Sequence, residues 1–438
     1  MRKINLLLVL AVLMMLTGTA WAGVTADELM SVVDDKGGLL TRGEYARMLV
    51  VAAGMEENGY PEQTLVTKGI LKGYPDDGLR LEQGISRLEA VSLAARALGL
   101  TDAIAPPEGV AAPLDKSHWG YNLYAWFIRQ GLVEDNPEEL LSEEQGAALL
   151  QKVFNTDPEV VSILEQSQAK TSKQYQSVRT VMSGSMQMVP RAGKGADAED
   201  LLPPASVTSM EMVQEMVLPD KLHQTSTMTV QIQDVGTQEI TTEIYMVDGE
   251  MYQKIPVEEN GSAEWYRFPT NILPDMEQLM ENAEQQLEAI PPELEEFFHY
   301  QLLGTTELNG ETVYEVAFYG RVDDFNKFIE ASMGRLGGNQ EFLESMGKAA
   351  SLLDTMSYWG IEFIGMDDFL PRAAEYTSLV TYREELDGEP VPMEALQTYM
   401  KVEEYSYGED ITIELPAEAV DAPELPMSEP SVSDDPTQ

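Results

Sequence analysis

The chain has 438 residues, no cysteine, three histidines and a formal net charge of −47. That length gives room for about two or three domains with cores of their own, and the lack of cysteine excludes a disulfide-stapled framework. A negative field this large, with acids spread along the whole chain, repels nucleic acid and anionic lipid headgroups, so neither is expected as a partner.

Residues 1–22 read as a secretory signal: Arg2 and Lys3, an apolar stretch from Ile4 to Leu16, then Ala20-Trp21-Ala22 as a small-x-small cleavage site. The apolar run is short of the ~20 residues a membrane span needs. The expected location is therefore extracytoplasmic, at the cell wall or cell surface, with no transmembrane segment in the mature chain.

A helix start then occurs twice, as Thr41-Arg42-Gly43-Glu44 and Ser86-Arg87-Leu88-Glu89. Thr41 and Ser86 are suited to be N-caps, and Glu44 and Glu89 complete capping boxes. Arg42 and Arg87 fall at the first helical position, beside free backbone N–H groups, where a guanidinium makes a ready carboxylate or phosphate site. No clear opening helix precedes Thr41. Between the two starts lies Gly69-Ile70-Leu71-Lys72-Gly73-Tyr74-Pro75-Asp76-Asp77-Gly78. A third copy begins at Asp115-Lys116-Ser117-His118-Trp119 and continues through Tyr124 to Val133 to Ser142-Glu143-Glu144-Gln145. It keeps the cap but has Glu143 where the others have arginine.

These motifs resemble the S-layer homology (SLH) repeat, with its GYPDG-type turn and T/S-R-x-E helix start. The resemblance covers residues 23–156, as repeats at about 23–56, 57–101 and 113–156. It implies a compact all-α bundle that holds an acidic, pyruvylated cell-wall polysaccharide. Arg42, Glu44, Gly73, Tyr74, Asp76, Arg87, Glu89 and Trp119 are its expected binding residues.

A linker helix is expected over 157–172. From Tyr175 the apolar period changes to two. Strands are predicted at Tyr175–Met188, Ser206–Leu218, Leu222–Asp234, Gln238–Val247, Glu250–Ile255, Glu264–Phe268, Gln301–Leu308, Thr312–Tyr319, Ser357–Ile364, Ala374–Leu386 and Leu396–Tyr407, with a further candidate at Ile411–Leu415. Asp248-Gly249 and Asn309-Gly310 mark hairpins. Helices are predicted at Pro274–Ala289, Asp323–Met333 and Asn339–Leu353. Many antiparallel strands with helices on one face define an α+β arrangement. The acidic, proline-rich segment 416–438 is expected to be disordered.

The opening strand, Leu218-Pro219-Asp220-Lys221-Leu222 and Met246-Val247-Asp248-Gly249-Glu250-Met251-Tyr252 resemble the lipoprotein-carrier (LolA/LppX-like) half-barrel superfamily over residues 173–415. That resemblance implies a curved sheet, covered by helices, around an apolar groove for a lipid or other hydrophobic small molecule. Met182, Met186, Met188, Met210, Met212, Met216, Met228, Met246 and Met251 on strands, with Met276, Met280, Met333 and Met346 on helices, suit an adaptable apolar surface, and equally suit ordinary core filling.

No zincin, nucleophile-elbow, P-loop or dinucleotide motif occurs. His118, His223 and His299 each lie beside apolar residues, His299 in a predicted short helix, and read as structural. The chain reads as a non-enzyme with no catalytic residues, no metal and no cofactor. Two other readings stay open: a structural S-layer or spore-envelope component without ligand, and a wall-associated hydrolase.

Overall fold

The computed structural model describes residues 23–425 apart from 35–37, 56–59, 75–77, 102–108, 135, 175, 192–206, 219–220, 233–235, 257–262, 269–296, 330–346, 348–349 and 387. The expected signal, the predicted helix Pro274–Ala289, residues 330–333 of Asp323–Met333, residues 339–346 and 348–349 of Asn339–Leu353, the four helical methionines and residues 426–438 lie outside the described residues.

The N-terminal part contains α1 (Ala26–Met30), α2 (Arg42–Ala52), α3 (Pro61–Thr67), α4 (Arg87–Ala97), α5 (Tyr121–Arg129) and α6 (Glu143–Phe154). The caps follow the sequence. Thr41, Ser86 and Ser142 each accept from the backbone N–H three residues on, and Glu44, Glu89 and Gln145 reach back to close the box. Gly54 and Gly99, just past α2 and α4, take φ of 58° and 80°, the left-handed geometry that ends a helix. Helix α1 is a correction to the expectation that nothing opens the first repeat. Thr25 and Glu28 form its capping box, a T-x-x-E signal present in the sequence.

The residues before α2, α4 and α6 close a ring. Leu40 N–H donates to the Leu141 carbonyl (2.9 Å), Leu141 N–H to Ile85 (3.0 Å), and Ile85 N–H to Leu40 (2.9 Å). Next to it, Arg42 N–H donates to Gln83 O and Arg87 N–H to Glu139 O, both at 2.8 Å. Glu143, at the matching place on α6, is 1 % exposed and accepts from Gly38 N–H at 3.1 Å. The three capped helices thus meet with approximate threefold repetition around one core that contains Leu40, Tyr45, Ile85, Tyr124 and Leu150.

Helix α7 (Pro158–Gln174) leads into the sheet, whose strands are β1 (Ser177–Pro190), β2 (Val207–Val217), β3 (Lys221–Ile232), β4 (Gly236–Val247), β5 (Glu250–Pro256), β6 (Ala263–Arg267), β7 (His299–Leu308), β8 (Glu311–Val322), β9 (Leu353–Gly365), β10 (Pro371–Tyr382) and β13 (Met393–Tyr407). They form one curved antiparallel sheet of 11 strands in the order β6-β5-β4-β3-β2-β1-β13-β10-β9-β8-β7. The first and last strands pair at its centre. A separate two-stranded ribbon joins β11 (Glu385–Leu386) to β12 (Glu389–Pro390). The turns Asp248-Gly249 and Asn309-Gly310 have positive φ at both residues, as their hairpins require.

Three expectations are corrected. His299 opens β7 instead of sitting in a helix, and its ring packs edge-on to Phe154. Residues 411–415 are not a strand among the described residues. Residues 416–425 of the segment expected to be disordered are ordered: Ile413 and Ala419 pack on Tyr245, Tyr252 and Trp265. Arg267 N–H donates to Pro423 O and Leu425 N–H to Arg267 O, so this strap pairs with edge strand β6. Covering an edge removes a template for unwanted strand pairing.

The helical part docks on one face of the sheet. Tyr319 and Trp359 belong to the same core as the helices, and the Trp359 ring lies 6.0 Å from Trp126 and 5.9 Å from Phe127. Tyr319 Oη donates to Val153 O at 2.8 Å. Arg129, at the end of α5, forks to Glu315 and Glu375. Arg321 donates to the Arg96 and Ala97 carbonyls at the C-terminus of α4, where the helix dipole favours a cation.

Candidate functional site

Two regions carry the residues that the sequence singled out. The first lies where the capped helices meet. The Arg42 guanidinium is 7 % exposed; it pairs with Glu89 at 3.2 Å and donates to Lys72 O at 2.9 Å. Tyr74 hydrogen-bonds the same Glu89 carboxylate, and its ring lies 5.0 Å below Arg42 and 4.0 Å below Arg80. Burial and the Glu89 contact push the Tyr74 hydroxyl pKa upward. Arg42, Tyr74 and Glu89 are thus brought together.

Arg87 occupies the equivalent groove between α4 and the segment before α6, and pairs with Glu139. Its hydrogen bond holds the Glu139 carboxyl below its ordinary value. Both guanidinium Nε–H groups, of Arg42 and of Arg87, are buried without an acceptor among the described residues. Glu44 is consumed by its own cap, with Thr41 Oγ1 at 2.6 Å. Gly73 is exposed. Trp119, expected among the binding residues, is 52 % exposed just before α5, and its neighbour Gly120 abuts Leu88. Asp76 lies outside the described residues. Glu139 and the Lys72 carbonyl, the partners of the two arginines, were not foreseen, because no local signal ties them to residues 30 to 52 positions away.

The second region is one face of the sheet. Side chains alternate across a strand, and directly paired residues share a face. One row of partners runs Phe318, Gly360, Tyr376, Met400, Gly184, Met210, Met228. The next runs Val316, Glu362, Ala374, Val402, Met182, Met212, Ser226. Continued along the strands, this register puts the nine strand methionines singled out in the sequence on the same face, ending at the direct pair Met246–Met251. Met182, Met210, Met212 and Met400 are 1–6 % exposed and cluster with Tyr376 and Val402. Toward β7 the face is covered by α7, whose Val160, Ile163 and Leu164 pack on Tyr300, Val316 and Ile364.

Gly360 and Gly184 have mechanical reasons to be glycine. A Cβ at Gly360 would strike the Phe318 ring, and one at Gly184 would strike the Tyr399 carbonyl and Met400 sulfur. Glu362 is the exception in its row. It is the one acid in the apolar stretch Tyr358-Trp359-Gly360-Ile361-Glu362-Phe363-Ile364, an anomaly readable in the sequence and not singled out there. Desolvation pushes its pKa up to about 7.

An open cavity of about 490 Å³ sits at the junction of the two parts, lined by Ile128, Arg129, Lys152, Gln301, Leu302 and Glu315 among others. Its central cation, Arg129, is already committed to two carboxylates. No group of three or more His, Cys, Asp or Glu able to hold a metal occurs among the described residues. No described helix is long and apolar enough to cross a membrane.

The architecture defines an α+β protein in which capped helices dock behind a large antiparallel sheet with a methionine-rich front. The chain belongs to the family of unknown function DUF6612, whose model matches residues 159–424, from α7 to the strap on β6. No curated protein matches it. Solved structures with related shape include LprF from Mycobacterium bovis, at 14% identity over 60% of this chain and 98% of that one, TM-score 0.27. The Mycobacterium tuberculosis lipoprotein LppX gives 10% identity over 59% and 100%, TM-score 0.25. A putative outer membrane lipoprotein-sorting protein domain from Vibrio parahaemolyticus gives 11% over 57% and 93%, TM-score 0.20. Scores this low carry no functional argument.

Proposed function

We propose that this protein is an extracytoplasmic, non-catalytic binding protein. Its methionine face takes up a lipid or similar hydrophobic molecule, and its helical part holds the chain to an acidic wall polysaccharide. The observation that carries the first half is the register that collects nine methionines on one face. Thioethers are polarizable and unbranched, so such a face adapts to ligands of different shape. Organic extraction of natively purified protein, followed by mass spectrometry, is expected to release a hydrophobic molecule. Displacement of that molecule by a neutral fluorescent apolar probe should restore its signal in solution. Clean protein that also fails to bind the probe would overturn this half.

The second half is supported by the grooves at Arg42 and Arg87. Each holds a buried guanidinium N–H without an acceptor among the described residues, and an acidic sugar substituent supplies the oxygen such a donor lacks. Co-sedimentation of the full chain with purified walls is the test. Retention should fall with Arg87→Ala and fall further with Arg42→Ala added, while circular dichroism stays that of the parent. Unchanged retention of the folded double variant would remove the polysaccharide assignment and leave the sheet reading untouched.

A further inference from the structure

Glu362 is placed where a packing role does not account for it. Its cross-strand partners, Val316 and Ala374, are 0 % and 9 % exposed. Glu362 itself is partly buried and makes no hydrogen bond or ion pair among the described residues. An unpaired carboxylate withdrawn from water costs several kcal/mol in a sheet that valine or isoleucine would fill without cost.

The nearby cations are spent elsewhere. Arg372 forks onto Glu311 at 2.7 Å and Asp368 at 2.8 Å, and Arg129 faces the opposite side of the sheet with Glu315 and Glu375. The buried stripe of α7, Val160, Ile163, Leu164 and Ser167, contains no base.

The same end of the sheet carries aromatic side chains: Tyr300 pairs with Phe318, two residues along β8 from Val316, and Tyr407 Oη donates to the Pro371 carbonyl at the start of β10 (3.3 Å). Burial first, and then the Glu362 charge, raise the Tyr300 and Tyr405 hydroxyls. Tyr407 feels the same charge and stacks on Tyr405, ring centroids 6.2 Å apart and 9° from parallel. A carboxylate without a counter-ion among ring faces is the chemistry that receives an organic cation. The net charge of −47 draws cations toward the chain and turns anionic amphiphiles away.

We infer that the methionine face carries a recognition point for a cationic amphiphile: Glu362 pairs with the ligand's ammonium group beside Tyr300, Tyr405 and Tyr407, and the alkyl chain extends over the methionine face. This rests on the hydrophobic-ligand reading above and gives that ligand a charge.

The test titrates the full chain by calorimetry with three probes of equal chain length: dodecylammonium, dodecanol and dodecanoate. Neutral pH and raised salt screen adsorption to the acidic surface. Dodecylammonium is expected to bind at least about tenfold tighter than dodecanol, the gain of one partly buried charge-assisted contact, with dodecanoate weakest. Glu362→Gln should erase the preference for the ammonium and leave dodecanol binding within about twofold. Dodecanol binding as well as dodecylammonium, or a preference that survives in Glu362→Gln, overturns the recognition point while the hydrophobic-ligand reading stands. Binding of none of the three overturns both. If the variant does not fold, the order of the three probes on the native chain decides.

Discussion

Two desolvated titratable side chains, one on β7 and one on β9 across the intervening β8, pull the acid stability of the protein in opposite directions. Desolvation lowers the His299 pKa from 6.5 to about 4, so its contribution is complete above pH 6.5 and is lost as pH falls toward 4. Desolvation raises Glu362 from 4.5 to about 7. A carboxyl shifted upward favours the folded state at low pH, and that contribution is lost as pH rises through about 7. Over the shared window the two slopes oppose each other. Urea denaturation between these limits should therefore separate them. Glu362→Gln is expected to gain on the parent as pH rises from 4.5 to above 7, by on the order of 3 kcal/mol across the window. His299→Phe should gain by a similar amount in the other direction, as pH falls from 6.5 to 4. Parallel curves for parent and variant would show that the residue is solvated after all. Gly360 makes a second residue-scale prediction. Alanine there meets Phe318 on one side and the Glu375 carbonyl on the other, so Gly360→Ala should lower stability by about 1–3 kcal/mol, the usual cost of overpacking, and Phe318→Leu should recover part of it.

At the scale of elements, the capped helices and the hairpins were legible because their signals are local. A capping box needs residues three apart, and an Asn-Gly turn needs two neighbours. Strand existence was legible from the period-two pattern, and the methionines stood out by type. What could not be read was which elements meet. Arg129 finds Glu315 and Glu375 across 186 and 246 positions, and Arg87 finds Glu139 across 52. Helix α1 carried a readable box at Thr25 and Glu28 but only five residues, too short for an apolar period. The order from residue 416 to 425 was misread from composition. Prolines and acids there are compatible with a strap that contributes Ala419 to the core, with Ala422 packed beside it, and pairs its backbone with β6. Ser86→Ala tests how far one cap reaches. It removes the acceptor for Glu89 N–H and loosens the carboxylate that holds Arg42 and Tyr74. The expected loss is about 1 kcal/mol from the cap, with an added loss of wall retention if Arg42 binds there. Chemical denaturation and co-sedimentation on one sample read the two effects separately.

Over the whole molecule, the two parts unfold together if the contact at Tyr319 and Trp359 is as central as its burial of 0 % and 1 % exposed implies. Calorimetry of the parent should give one transition. Trp359→Ala removes a ring shared by helices and sheet, should cost about 3–5 kcal/mol, and should split the transition in two. Trp359 and Glu362 stand three residues apart on β9 and face opposite sides of the sheet. A pull on the helices thus enters the sheet directly behind the face that bears the carboxylate, through ring contacts and the Arg129 fork, and not through a slack peptide at its edge. The arrangement is a mount, not a leash: the helices have no swivel, and a particle gripped by them would carry the methionine face at a fixed heading, like a dish bolted to its mast.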